Sequence, residues 1–522
     1  MNWKRPLALS TAALTLGMAL AACGNPTAAA PDPTPTPAAE VQSLSTTGST
    51  VKAPKYVFLF IGDGMSYPQI QSTSDFLGAL NDADYRQAQP SLDDNGGAIL
   101  DGPEYLNFMN FEAAGSAVTY DSNSFAPDSA STATSISTGY KTYSGSINVD
   151  ETGTISYETI AEQLHAQKGY SVGVITSVNL NHATPAAFYA HQASRNDYYD
   201  IGLELIDSGF EYFAGGGLLK PTGAEGDQAD LYALAEKAGY HVVKTQAEAE
   251  QVTGGPVVII DEHLADSDAM AYEIDRTDDM WALADYVEKG IEVLSQDKDG
   301  FFMMCEGGKI DWACHANDAA STIHDTQALA DAVQVAIDFA KEHADETLIL
   351  VTSDHETGGL TIGFAGTDYD TYLDLLESQK ISYAKFDSDY VSRYKEDKTS
   401  FEDVLKDVEA LFGLKTQGEE GDKLVLTDYE LEQLRAAYEK SVNGTAASQY
   451  EQEEYVLYGT YEPLSVTLTH IINNKSGISF TSYSHTGLPV AVLAHGVNAG
   501  QFNGYYDNTQ IYHKLAGMLG IA

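Results

Sequence analysis

Four short apolar runs, each ending at a polar turn, restrict the fold of this chain more than any other feature of its sequence. Such runs predict strands that are buried on both faces of a sheet. Stretches with helical periodicity lie between them. Strands and helices that alternate in this way predict an α/β fold, with a large, mainly parallel central sheet and helices on both faces. The predicted strands cover residues 55–61, 170–176, 301–305 and 347–352, and the predicted helices cover residues 156–167, 277–295 and 322–343.

The segment 366–455 interrupts this alternation. It is rich in Tyr, Asp, Glu and Lys, and it contains neither His nor Cys. Helical periodicity in residues 401–411 and 428–438 predicts a mostly helical insertion. The main domain would then consist of residues 55–365 and 456–522, with a further strand at 490–494 and a closing helix at 509–519.

The N-terminal residues read as a targeting segment. Two basic residues precede an apolar run within residues 1–22, which is typical of a signal peptide. Cys23 follows Leu-Ala-Ala, which resembles a bacterial lipobox and predicts a lipid anchor; the alternative is ordinary secretion with cleavage near Ala22. Residues 24–54 are rich in Pro, Ala and Thr, so they are expected to tether this anchor to a folded body outside the cytoplasm, at the cell envelope.

The charge of the chain excludes one class of partner. With 28 Lys plus Arg against 76 Asp plus Glu, the formal net charge is −48 over 522 residues. This composition lacks the basic footprint that nucleic-acid binding requires. The apolar fraction of 43% is that of a folded protein. Cys305 and Cys314 are expected to be small buried side chains and not a disulfide.

Ser129 is the candidate nucleophile. It follows Asp128 and opens a run of small, helix-compatible residues, so it is expected at a helix N-terminus, where the dipole favours an anion. The simpler interpretation is that Asp128 or Ser129 only caps a helix.

Carboxylates and histidines follow the predicted strands. Asp311 and His315 are four residues apart at the start of a helical segment, so their side chains point from one face, as suits a divalent metal. A helix-start acid with a neighbouring salt-bridged His is the alternative. Glu306 belongs with these two residues. The other candidates, each of which alone could be a turn, cap or surface residue, are Asp63, Asp354, His355 and His485.

Arg195 is the candidate phosphate-binding cation. Its guanidinium matches two phosphate oxygens. It could equally pair with Asp197 at the surface.

Taken together and in this order, the motifs resemble those of alkaline phosphatases. The similarity covers most of residues 55–360 and 477–522. The motifs are Gly-Asp-Gly-Met around Asp63, Asp128-Ser129-Ala130, His182-Ala183-Thr184-Pro185-Ala186, Glu306 with Asp311 and His315, Asp354-His355, and His485-Thr486-Gly487.

The resemblance implies a site with two Zn²⁺ and one Mg²⁺ that hydrolyses small phosphate monoesters. Ser129 would form a phosphoseryl intermediate, and Arg195 would bind the nonbridging oxygens. A homodimer is also compatible with the resemblance. The implied ligands are Asp311, His315 and His485 for the first zinc, Asp63, Asp354 and His355 for the second, and Asp63, Thr184 and Glu306 for magnesium.

Two residues depart from the best-known enterobacterial member, which has aspartate at the position of His182 and lysine at that of Trp312. His182 is therefore expected to weaken the third site for magnesium or to open it to zinc. The competing functions are a phosphodiesterase or sulfatase of the same metal-dependent superfamily, and a binding protein without turnover. The acidic surface reflects either a salty habitat or the solvation of a secreted protein.

Overall fold

The computed structural model describes residues 52–82, 100–445 and 451–521. The signal peptide, Cys23 and most of the tether lie outside the described residues. No helix in the described part of the chain combines the length and the apolar character that a membrane crossing requires.

A ten-stranded sheet forms the centre of the molecule, in the order β14-β2-β13-β8-β1-β7-β3-β4-β6-β5. The strands from β8 to β5 in this order are parallel, and β13 is antiparallel to both of its neighbours. The predicted mainly parallel sheet is confirmed. The strands are β1 (Tyr56–Gly62), β2 (Ala113–Val118), β3 (Ser171–Asn179), β4 (Tyr212–Gly216), β5 (His241–Val243), β6 (Val257–Ile260), β7 (Phe301–Gly307), β8 (Thr347–Thr352), β13 (Val490–Gly496) and β14 (Gly504–Asp507).

Two small ribbons connect the loops beyond this sheet. In one, β9 (Glu356–Thr357) pairs with β12 (His485–Thr486); in the other, β10 (Thr361–Ile362) pairs with β11 (Ile478–Ser479). The first ribbon holds His485, which the sequence placed in a loop, beside the chain that follows His355.

Helices cover both faces of the sheet, because each central strand is apolar on both sides. In β1, Val57, Leu59 and Ile61 belong to one core cluster, and Tyr56, Phe58 and Phe60 belong to the other. The helices before the insertion are α1 (Tyr67–Asn81), α2 (Ser129–Thr138), α3 (Ile160–Lys168), α4 (Ala183–Ala186), α5 (Tyr198–Ser208), α6 (Leu231–Ala238), α7 (Gln246–Ala249), α8 (Leu283–Leu294), α9 (Lys309–His315) and α10 (Ala319–Glu342).

The segment 366–455 is mostly helical, as expected, and packs through a third core cluster. This cluster joins its side chains to Phe76 of α1, Ile323 of α10 and Leu468 of α16. The described residues, from Lys52 onward, belong to one compact unit. The remaining helices are α11 (Tyr383–Phe386), α12 (Ser392–Asp397), α13 (Phe401–Phe412), α14 (Asp428–Ser441), α15 (Glu451–Tyr458), α16 (Pro463–Ser476) and α17 (Thr509–Leu519).

Two predicted helices begin later than their apolar pattern suggested. Helix α3 starts at Ile160, because Thr159 and Glu162 form a capping box that fixes its first turn. Helix α8 starts at Leu283, where Asp285 accepts a hydrogen bond from the Ala282 amide. Cys305 and Cys314 are free and buried, as predicted.

Candidate active site

Three carboxylates meet at the carboxyl ends of adjacent parallel strands. Strand β1 lies between β7 and β8, with Ile61 paired to Glu306 and to Thr352. Asp63 follows β1 directly and Asp354 lies two residues beyond β8. All three carboxylates are fully buried. Parallel pairing therefore gathers acids that are up to 291 residues apart in the chain, at the edge where α/β folds bind ligands.

Gly64 allows the chain to turn sharply after Asp63. Its φ is +70°, and a Cβ at this position would lie 2.8 Å from the Thr357 hydroxyl and 3.0 Å from Asp311 Oδ1. Its amide also donates to Asp354 Oδ1 at 3.3 Å. A residue without a side chain is required here because two other segments of the site pack against it.

Ser129 is the first residue of α2, as predicted. The Asp128 carboxylate caps this helix by accepting a hydrogen bond from the Ser131 amide at 3.1 Å. The Ser129 hydroxyl lies 3.1 Å from His355 Nε2. The helix therefore directs its positive end and this hydroxyl toward the buried acids.

Two histidines are oriented by backbone carbonyls so that their Nε2 atoms face each other. His315 Nδ1 lies 2.6 Å from the Tyr483 carbonyl, and His485 Nδ1 lies 2.6 Å from the Pro127 carbonyl. A carbonyl only accepts, so each Nδ1 carries a hydrogen and each Nε2 is directed into the site. These two Nε2 atoms are 3.1 Å apart.

The carboxylate of Asp311 completes this group. It approaches His315 Nε2 at 3.3 Å and His485 Nε2 at 3.7 Å. Although burial opposes it, the neighbouring histidines hold the pKa of Asp311 well below its usual range. The i, i+4 spacing on α9 brought Asp311 and His315 together as predicted, and His485 arrives from a distant loop.

His355 is oriented in the same way by a hydroxyl group. Thr357 Oγ1 donates to Asp311 Oδ1 at 2.5 Å, so it can only accept from His355 Nδ1, which lies 3.2 Å away. The unprotonated Nε2 then faces Asp63 Oδ1 at 3.2 Å and Asp354 Oδ2 at 3.4 Å. A lone pair directed at two carboxylates is repulsive unless a cation lies between them.

Several buried polar atoms at the site have no hydrogen-bond partner. They include Asp63 Oδ1, Glu306 Oε1 and His182 Nδ1. Burial and the neighbouring acids raise the pKa of Asp63 well above its usual range, that of Glu306 to about 8 and that of Asp354 to about 7. Buried charge without a partner is costly, so these residues fit a divalent cation.

Ligand atoms of two triplets are close enough together for one ion each. They belong to Asp63, Asp354 and His355, and to Asp311, His355 and His485, with all atoms of a triplet within 4.8 Å of one another. Imidazole and carboxylate donors suit zinc, and hydrogen bonds from the opposite ring nitrogen to a carbonyl are typical of metal-binding histidines.

Arg195 reaches the site by pairing with Asp128. Its Nη1 lies 2.9 Å from Asp128 Oδ2, and its Nη2 lies 3.4 Å from His182 Nε2. The alternative pairing with Asp197 is therefore not found. Burial and Arg195 lower the pKa of His182 to about 3, so this ring is neutral.

Thr184 lies beside the buried carboxylates, with its hydroxyl 3.4 Å from Asp63 Oδ2. Thr176, which the sequence did not single out, donates to Glu306. No local pattern distinguishes Thr176 from any other threonine of a buried strand.

An open cleft of about 370 Å³ gives access to Ser129. The sequence predicted part of its lining, including Ser129, His182, Arg195, Asp311, His315 and His485. Asp266, Ser267, Tyr383 and Tyr461 also line it and were missed, and Trp312 was noted only as a departure from the best-known enterobacterial member. Tyr383 belongs to the segment 366–455, which therefore contributes to the cleft.

A family model described as alkaline phosphatase matches residues 54–521. Alkaline phosphatase 3 of Bacillus subtilis is 30% identical over 465 residues, which cover 88% of this chain and 87% of that relative. A cold-active alkaline phosphatase from a psychrophilic Shewanella species has a similar structure, with a TM-score of 0.69 and 28% identity over 89% of this chain and 99% of the other. The enzyme from Thermus thermophilus, at 23% identity and a TM-score of 0.71, shares the fold over 90% of this chain and 92% of that one.

The chain belongs to the alkaline phosphatase family and is a phosphatase. Membership in this family implies metal cofactors, in agreement with the donor atoms that converge below the cleft.

Proposed function

We propose that this protein hydrolyses small phosphate monoesters through a phosphoserine intermediate, at a site for two Zn²⁺ and one Mg²⁺. The observation that carries the proposal is the convergence of three imidazole Nε2 atoms and buried carboxylates beside the Ser129 hydroxyl.

The proposed ligands are those that the resemblance implies. His315 belongs to neither triplet of ligand atoms described above, but its Nε2 lies 3.3 Å from Asp311 Oδ2 and 3.1 Å from His485 Nε2. Asp311, His315 and His485 would hold the first zinc, and Asp63, Asp354 and His355 the second. Asp63, Thr184 and Glu306 would hold magnesium. When bound, such cations stabilise the attacking and departing oxygens of a phosphoryl transfer and lower the pKa of a coordinated hydroxyl.

Ser129 acts as the nucleophile. Its position at the helix N-terminus favours the negative charge that develops as its hydroxyl proton leaves to water in the cleft. The bond from Oγ to phosphorus forms while the bond to the leaving oxygen breaks, and that oxygen takes a proton from water. Attack of a water molecule on the phosphoserine then releases phosphate and restores the hydroxyl.

Arg195 binds the nonbridging oxygens of the transferred group. One arm of its guanidinium is held by Asp128, so the side chain is oriented before the substrate arrives. This cation also offsets the repulsion between a dianionic ester and a protein with a net charge of −48.

His182 is the residue we expect to alter the third site. A neutral imidazole in place of a carboxylate reduces the negative charge available to magnesium, which prefers oxygen ligands. We expect the His182→Asp variant to bind magnesium more tightly relative to zinc. Metal analysis after titration with each ion measures this; magnesium binding that is already tight and ignores the change would contradict it.

The proposed activity is tested by comparing p-nitrophenyl phosphate with bis-p-nitrophenyl phosphate at alkaline pH. We expect the monoester to be preferred and Ser129→Ala to lower its hydrolysis by at least about 10³-fold, because a nucleophile is lost. The matched control is Ser135→Ala, in the same helix, where the hydroxyl donates only to the Ser131 carbonyl. Preference for the diester or a sulfate ester, or activity that survives Ser129→Ala, would favour the competing hydrolases. Binding of phosphate without turnover would favour a binding protein.

We also propose that Cys23 carries a lipid anchor that holds the enzyme outside the cytoplasm. The support is the Leu-Ala-Ala-Cys sequence, followed by the Pro-rich tether. Release of the full chain from the membrane fraction by Cys23→Ala is the expected result.

A homodimer stays a prediction, for which the sedimentation velocity of the purified protein is the measurement.

A further inference from the structure

The cleft at Ser129 has two chemically different sides. One side carries the residues assigned above to phosphate and metals. The other side carries three aromatic residues, Trp312, Tyr383 and Tyr461, which we call the aromatic wall. Asp266 and Ser267 lie on the same side. The phosphoryl group belongs to the first side, so the second side faces the rest of the substrate.

Packing fixes the rings of the aromatic wall in place. The Tyr383 and Tyr461 rings meet edge to face, with centroids 5.6 Å apart. The fully buried Tyr272 supports Tyr383 from behind, with ring centroids 5.8 Å apart and a hydroxyl that donates to Tyr383 Oη at 3.2 Å. The Trp312 ring contacts His182 edge to face at 5.9 Å. All three wall residues are half-buried, so each keeps some ring surface open.

The same side presents a negative charge. The carboxylate of Asp266 is 31% exposed, whereas its partner Lys309, 2.6 Å away, has a fully buried side chain. Lys309 Nζ lies over the Tyr272 and Trp312 rings, at 4.1 and 4.7 Å from their centroids. The acid therefore faces the cleft while the cation faces the protein.

Lys309, the cation paired with that acid, is itself shielded from the cleft. Among the described residues that line the cleft, Arg195 is the sole lysine or arginine, and it is paired with Asp128 on the phosphate side. A leaving group with its own negative charge would thus meet the Asp266 carboxylate first, with the counter-charge of Lys309 buried behind it.

We propose that the aromatic wall is a leaving-group subsite, which selects phosphate monoesters with a flat, uncharged aromatic or heterocyclic leaving group. This inference rests on the proposed phosphatase function. Edge-to-face and offset contacts with three held rings stabilise a flat ring and not a saturated ring of the same size. Asp266 disfavours leaving groups that carry a carboxylate or a second phosphate.

The first experiment compares kcat/KM for benzyl phosphate and cyclohexylmethyl phosphate, which have the same carbon skeleton. We expect a preference of about fivefold for the flat ring, the effect of one aromatic contact. The pair adenosine 5′-monophosphate and ribose 5-phosphate tests a ring that lies one sugar further away. A preference in the first pair identifies aryl leaving groups, and one in the second identifies nucleosides. Ratios near one in both pairs would overturn the proposal.

Variants show whether the wall causes the preference. Tyr383→Leu, Tyr461→Leu and Trp312→Leu should each lower the benzyl to cyclohexylmethyl ratio, and Tyr383→Phe, which keeps the ring, should preserve it. Tyr505→Leu is the control, since this tyrosine is 68% exposed on β14 and does not line the cleft. The ratio is taken on one enzyme preparation, so partial misfolding of a variant does not change it. Equal ratios in wild type and all leucine variants would contradict the assignment.

The charge is tested with benzyl phosphate against 4-carboxybenzyl phosphate. Asp266→Asn should raise the relative kcat/KM of the carboxylated ester by about fivefold. Asp227→Asn makes the same charge change at an exposed position away from the cleft and should leave the ratio unchanged.

Failure of the function and failure of the subsite are distinguishable. If wild type shows no Ser129-dependent hydrolysis of any monoester, methyl phosphate included, the proposed function is wrong. If methyl phosphate is hydrolysed in a Ser129-dependent way but the paired ratios stay near one, only the subsite is wrong.

Discussion

Two clusters of ionisable side chains in this protein both contain buried or half-buried carboxylates, but only one of them also contains a cation. In the first, His191 lies between two carboxylates, 3.3 Å from Glu162 and 3.3 Å from Glu204. In the second, Asp63, Glu306 and Asp354 meet below the cleft, and two of their oxygens have no hydrogen-bond partner. We call these the His191 cluster and the carboxylate cluster.

The pKa values reflect this difference. Although burial lowers it, hydrogen bonds to Glu162 and Glu204 raise the pKa of His191 to about 10, so a cation offsets part of the charge of the two acids. In the carboxylate cluster, burial and mutual repulsion raise the pKa of each acid. A cluster that contains its own cation stabilises the fold, whereas a buried cluster of acids alone requires a ligand.

Metal removal should have the largest effect, and only on the carboxylate cluster. We expect a chelator to lower monoester hydrolysis by more than about a hundredfold, because the reacting oxygens lose several kcal/mol of stabilisation. The melting temperature should fall as well, since bound ions stabilise the folded state. Restoring zinc, with and without magnesium, should recover both. Full activity in protein shown by elemental analysis to be metal-free would remove the distinction between the clusters.

The same substitution in the two clusters should change stability in opposite directions. In metal-free protein at pH 9, Glu306→Gln should raise the free energy of unfolding by about 1–2 kcal/mol, because it removes a like charge and its amide can donate to Asp63. Glu204→Gln should lower it by about 1–2 kcal/mol, because His191 loses its partner. Urea unfolding measures both values. Destabilisation by both substitutions would mean that the carboxylate cluster is balanced without metal.

The pH dependence of the His191 cluster should give the smallest effect. The folded pKa of His191, about 10, lies above its unfolded value, so its contribution is complete below about pH 6.5 and is lost as the pH rises through 10. We expect His191→Gln to lower the free energy of unfolding by about 1 kcal/mol at pH 6 and by almost nothing at pH 10. The value at pH 6 is small because solvent screens a partly exposed ion pair. Urea unfolding of both proteins across this range is the measurement. A cost that does not change with pH would assign the effect to packing.

Much of the site could be predicted because its residues occupy recognisable local positions. Asp63 and Asp354 follow apolar runs, Ser129 opens a helix after a capping acid, and Asp311 and His315 are one turn apart. The partner of Arg195 could not be predicted, because Asp128 is 67 residues away and Asp197 is closer in sequence. The two tyrosines of the aromatic wall were missed because Tyr383 and Tyr461 follow no pattern that separates them from the other tyrosines.

The sequence by itself determined the strands β1, β3, β7, β8 and β13, some of the helices and the chemical types available where these strands end, because hydrophobic periodicity and capping act over a few residues. The tertiary structure alone decided which of these groups meet. Register across β8, β1 and β7 assembles the carboxylate cluster, and the ribbon of β9 and β12 brings His485 beside the chain after His355. Such pairings depend on the packing of the whole sheet, which no local pattern specifies.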